Sequence, residues 1–101
     1  MGFFAPINAK PVHLKGRIYN WSNISLRETI VKELQDNVRG SVLIATKRTN
    51  KYTNLKNITS VLALNIKENK KIKILLIGIA EENEKDIIKI REILSKCIKW
   101  Y

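Results

Sequence analysis

One cysteine, one histidine, two prolines and four glycines in 101 residues leave little material for several kinds of chemistry. Cys97 has no partner for an internal disulfide, and a lone Cys with a lone His cannot build a structural zinc site. There is no Gly-rich phosphate loop and no pair of carboxylates placed for acid–base work, so the sequence does not point to an enzyme, a metal or a cofactor. No apolar run approaches the roughly 18 residues of a membrane span. Residues 1–6 lack the basic start and long apolar core of a signal peptide, and Pro6 stands where a myristoylation signal wants Ser or Thr. The expectation is a cytoplasmic protein with no membrane partner.

Acids are scarce as well. Nine Asp and Glu face nineteen Lys and Arg, for a net charge of +10. Such a field attracts phosphates, anionic lipid or acidic proteins. The basic residues are scattered along the chain, however, and no aromatic pairs mark adjacent strands as an RNA-reading sheet. A small basic nucleic-acid-binding module, using the sheet or the Lys47, Arg48, Lys51, Lys56 connection, is therefore the less favoured reading.

What remains is enough for one core. Hydrophobic residues make up 45% of the chain, a globular proportion, and its length fits a single domain. Residues 1–12, with Pro6 and Pro11, read as a leader, and residues 13–101 as the domain. His13 to Tyr19 alternates as a first strand. Ser25-Leu26-Arg27-Glu28 has the form of a capping box, and Leu26, Ile30, Leu34 and Val38 follow at i+4 steps as one apolar stripe, stopped by Asn37 and Gly40. A strand over 41–46 and a polar connection around Tyr52 come next. Asn57 can cap a short helix that ends near Asn65 in left-handed geometry. Residues 72–79 form the most apolar strand. A last helix begins at the acids Glu81 to Asp86, with Ile87, Ile90, Leu94, Cys97 and Ile98 inward and Lys96 and Lys99 at its negative end. The order β-α-β-β-α-β-α predicts an α+β domain, three helices on one face of a four-stranded antiparallel sheet.

The string Leu62-Ala63-Leu64-Asn65-Ile66-Lys67-Glu68-Asn69-Lys70-Lys71-Ile72-Lys73-Ile74 resembles the histidine-containing phosphocarrier proteins (HPr) of the bacterial sugar phosphotransferase system. There a short helix likewise ends at a left-handed residue, and a lysine-rich turn feeds the last strand. The resemblance extends over roughly residues 17–95 and implies an open-faced β-sandwich. The family's Gly-Leu-His-Ala-Arg-Pro motif falls on Asn23-Ile24-Ser25-Leu26-Arg27-Glu28, which puts Ser25 at the active position with Arg27 beside it. A phosphocarrier holds its phosphoryl group on an imidazole nitrogen at a helix N-terminus, where free amides and the dipole stabilise the anion. A serine ester is a poor phosphoryl donor. The family's regulatory serine falls on Asn57, which cannot be phosphorylated, and its docking surface on Ile58 and Leu62.

A second register gives His13 the active position. It requires a long insertion before the helix and forfeits the helix amides. The resemblance thus implies a binding or regulatory relative that does not relay phosphate, with protein partners drawn from the phosphotransferase system. An active phosphocarrier using His13 is the alternative. Each site residue also has a plain reading: Ser25 as a helix cap, Arg27 as a solvated helix residue, Ile58 and Leu62 as core, and His13 as an exposed strand residue.

Overall fold

The computed structural model describes residues 11–78 and 84–101. Its elements are β1 (Val12–Ile18), α1 (Ile24–Asn37), β2 (Ser41–Thr46), β3 (Thr53–Asn54), α2 (Ile58–Ala63), β4 (Lys71–Ile77), α3 (Glu84–Leu94) and β5 (Ile98–Trp100). They form an α+β fold, a single antiparallel sheet of order β3-β2-β4-β1-β5 with the helices on one face.

Alternation along the strands explains that layering. Leu14 and Ile18 of β1, Val42 and Ile44 of β2, and Ile72, Ile74 and Leu76 of β4 are buried on the helical side. The register aligns them across the sheet, Leu14 with Ile74 and Ile44 with Ile74. The helices complete the core with Ile30, Val31 and Leu34 from α1, Val61 from α2, and Ile90, Ile93 and Leu94 from α3. Each such side chain removed from water contributes about 1.5–3 kcal/mol. Glu84 and Asp86 lie in the first turn of α3 and Arg91 in its last, as the helix dipole favours.

Three expectations need correction. The sheet has five strands, not four: the last helix ends at Leu94, Cys97 is buried in the turn that follows, and Ile98 belongs to β5. Apolar periodicity ran on past Leu94 because the residues after the turn are also apolar, but their backbone pairs with β1. Burial pushes the Cys97 thiol up to about 12, so it remains protonated and packs as a small apolar group. Second, Asn65 is not left-handed. Helix α2 stops at Ala63, and the left-handed residue is Asn69, φ 66°, whose N–H donates to the Ile18 carbonyl. Third, β4 begins one residue early, at Lys71, and stops at Ile77, before Gly78, which turns the chain with φ 79°. Ile79, residues 81–83 and most of the expected leader lie outside the described residues, while Val12 of that leader joins β1.

β5 can approach β1 because Gly16 has no side chain. A Cβ there would lie 2.6 Å from the Lys99 carbonyl oxygen and 2.6 Å from Ile98 Cγ2. Gly16→Ala should force β5 away and lower stability by about 1–3 kcal/mol, read as a reduced urea midpoint. An unchanged midpoint would mean that β5 can shift at no cost.

Candidate functional site

The candidate site is the start of α1, which a four-residue turn, Asn20 to Asn23, leads into from the sheet. Asn20, left-handed at φ 55°, closes that turn by accepting from the N–H of Asn23 at 3.1 Å. Its own N–H donates to the Glu68 carboxylate at 3.1 Å. Asn23 then caps the helix: its Oδ1 accepts from the N–H of Leu26 at 3.1 Å. Ser25 is therefore not the cap but the second residue of the helix, and it is exposed. Both Asn23 and Ser25 are competent caps, and the Ser-x-x-Glu spacing favours the second. The Asn20–Asn23 turn decides for the first, a tertiary effect with no local signature.

Arg27 is the larger surprise. It is 6% exposed, a buried charge and not a solvated helix residue. Its Nε donates to the Trp21 carbonyl at 2.5 Å, and Nη1 to the carbonyls of Val61 at 3.2 Å and Leu62 at 3.3 Å. The guanidinium also lies 4.6 Å from the centre of the Trp21 ring, and the indole N–H of Trp21 donates to the Leu64 carbonyl at 2.7 Å. Burial draws the Arg27 pKa below its ordinary value. One cation thus satisfies the carbonyl end of α2, which a six-residue helix leaves open.

Around this clamp lies a shallow cleft of 340 Å³, lined by Ser22, Arg27, Asn65, Ile66 and Lys67. The amides of Ile24 and Ser25 have no acceptor among the described residues, so the helix start can accommodate an anion. No imidazole is there. His13 is exposed on the opposite, outer face of β1, paired with Leu75. It lies five residue steps before the end of the strand at Ile18, about 17 Å of extended chain.

Among the other expected site residues, Asn57 caps α2, its Oδ1 accepting from the N–H of Ser60 at 3.0 Å. Ile58 and Leu62 are 37% and 38% exposed, so they are not core residues. The Arg27–Leu62 bond brings the end of α2 beside the start of α1. Lys56 is committed elsewhere: its ammonium donates to the Val38 carbonyl at the end of α1, and burial lowers its pKa. The sequence reading missed Asn23, Trp21, Asn65 and Lys67. A tryptophan two residues before the cap was the available hint, since a buried indole N–H demands a nearby carbonyl.

No family model matches the sequence, and no match is found among curated proteins either. The fold is similar to the solved structure of a histidine-containing phosphocarrier protein of Mycoplasma. The TM-score is 0.64 over 84% of this chain and 93% of that one, at 20% sequence identity. That likeness establishes a shared fold.

Three substitutions separate the roles of these residues. Asn23→Ala should cost about 1 kcal/mol through the lost cap, whereas Ser25→Ala should change stability by less than about 0.5 kcal/mol. A larger loss for Ser25→Ala than for Asn23→Ala in thermal melts would return the cap to Ser25. Arg27→Lys keeps the charge but loses the planar fork, and should cost roughly 2 kcal/mol. A melting temperature equal to that of the wild type would show that the fork is dispensable.

Proposed function

We propose that this chain is an HPr-like binding or regulatory protein that does not relay phosphoryl groups. One observation carries the reading: the helix start that could receive a phosphate holds Asn23 at the cap and Ser25 behind it, and the chain's one histidine belongs to the sheet. Transfer requires a nitrogen nucleophile whose phosphoramidate is labile. An amide oxygen cannot form one, and a serine ester holds its phosphate too firmly to pass it on. The helical side suits a protein partner instead. Ile58 and Leu62 of α2 expose apolar surface beside the cleft end of α1. Partners of this kind would come from the phosphotransferase system, which is what the phosphocarrier-like fold supports.

Incubation with phosphoenolpyruvate and the general phosphotransferase enzyme should yield no acid-labile, base-stable phosphate on this protein. An Asn23→His variant, which supplies a ring nitrogen at the cap, is the informative comparison. Labelling of the wild type that disappears in His13→Ala would reverse the reading and make the chain a phosphocarrier.

A further inference from the structure

The charges that are scattered along the sequence are gathered by the fold. Residues of odd number on β1, β4 and β5 face away from the helices, and they include Lys15 and Arg17, Lys71 and Lys73, and Lys99. The register sets Lys15 opposite Lys73, and Arg17 opposite both Lys71 and Lys99. Like charges directly opposite one another destabilise a sheet, and here three such pairs share one patch. Among the described residues no strand contains an Asp or Glu.

The helices differ. α1 has two cations and three carboxylates, α3 has three of each, and α2 has no charge. The ion pair among the described residues, Lys96 with Glu33, links the turn after α3 to α1 and leaves the sheet face untouched. The side chains of three of the five cations have partners among the described residues, and all of these are neutral. Arg17 Nη1 donates to the Asn69 carbonyl at 3.1 Å, and Lys73 Nζ to Asn50 Oδ1 at 3.4 Å. Lys73 also lies 5.6 Å from the centre of the Tyr52 ring, and Lys99 5.5 Å from that of Tyr19.

We infer that this outer sheet face binds single-stranded nucleic acid along its phosphate backbone. The repulsion among five cations that have no carboxylate partner among the described residues is relieved by a polyanion. Three strands about 4.8 Å apart and two rows about 7 Å apart give a patch of roughly 10 by 7 Å, about the width of one backbone. Tyrosines border it: Tyr52 beside Lys73, Tyr19 beside Lys99, and Tyr101, 66% exposed, whose N–H donates to the Lys15 carbonyl at 3.2 Å. Rings beside a phosphate track are the arrangement on which unpaired bases stack. A duplex fits less well, since its major groove admits a helix or a two-stranded ribbon but not the broad side of a five-stranded sheet. A lipid surface would want an apolar anchor within the patch, and exposed Ile77 lies at the far end of β4. The inference concerns the face opposite the helices and stands whether or not the start of α1 ever carries phosphate.

The test is fluorescence anisotropy of the full chain with a labelled oligouridylate of about 12 nucleotides, titrated from about 50 to 200 mM salt. A variant carrying Lys15→Gln, Lys71→Gln and Lys99→Gln is compared with one carrying Lys32→Gln, Lys85→Gln and Lys89→Gln, which has the same net charge but is altered on the helices. The sheet variant should bind more than about tenfold more weakly, with a salt slope shallower by about two, three phosphate contacts at roughly 0.7 each. The helix variant should stay within about twofold of wild type. Thermal melting provides the folding control, since losing like-charged neighbours should leave the sheet variant at least as stable as the wild type. Equal losses in the two variants would overturn the inference in favour of diffuse attraction. So would a duplex that displaces the oligouridylate more effectively than an unlabelled single strand. Binding to phosphatidylserine vesicles without binding to the oligonucleotide would overturn it in favour of a lipid surface.

Discussion

The helical layer depends on one buried guanidinium. Helix α2 has six residues, far short of the length at which a helix persists in water without tertiary support. Its start is closed by Asn57 and its middle anchored by Val61, but its end needs donors from elsewhere. Arg27 and Trp21 supply them to Val61, Leu62 and Leu64, and the same contacts fix the angle at which the chain enters α1. A charge placed there serves because Nε and Nη1 both meet carbonyl acceptors and the guanidinium lies against the Trp21 ring. A buried cation with fewer partners would destabilise the fold. The cleft at the start of α1 is a by-product of this joint, and its shape follows the clamp.

Much of the scaffold was legible in the sequence because it is local. The i+4 stripe of α1, the Asn57 cap and the apolar run of β4 each state their geometry within a few residues. The five-stranded sheet was not, since β5 is three residues long and continues the apolar spacing of α3 without a break. Its existence depends on an open edge of β1 and on the missing side chain of Gly16, far away in sequence. The site was less legible still. Choosing Asn23 over Ser25 required knowing that Asn20 adopts a left-handed turn held by Glu68. Assigning Arg27 to the interior required the position of α2. Arg27 in the first turn of a helix reads as solvated until another helix is seen to end against it.

Charge shows the same dependence on topology. Lys15, Arg17, Lys71, Lys73 and Lys99 fall in three separate stretches of sequence, where they look like an even sprinkling. Crossing the chain from β1 to β4 and from α3 to β5 brings them to adjacent positions on one face. The two sides of the molecule are consequently unlike. One offers half-exposed aliphatic side chains on nearly neutral helices, and the other offers clustered cations on the outer face of the sheet.

The strand order bears on solubility. β4, Lys-Ile-Lys-Ile-Leu-Leu-Ile, has the apolar, β-favouring character of segments that stack into fibrils. It occupies the middle of the sheet, where both of its hydrogen-bonding margins are taken by β1 and β2. Among the described residues the outermost strands are β3 and β5, two and three residues long, the latter carrying Lys99, and they cover part of the margins of β2 and β1. Strands so short, one of them charged, make poor templates for a neighbouring chain. By docking on β1, β5 covers the Gly16–Ile18 stretch of that strand's margin, so the small gap at Gly16 shortens the template open to a neighbouring chain as well as shaping the packing.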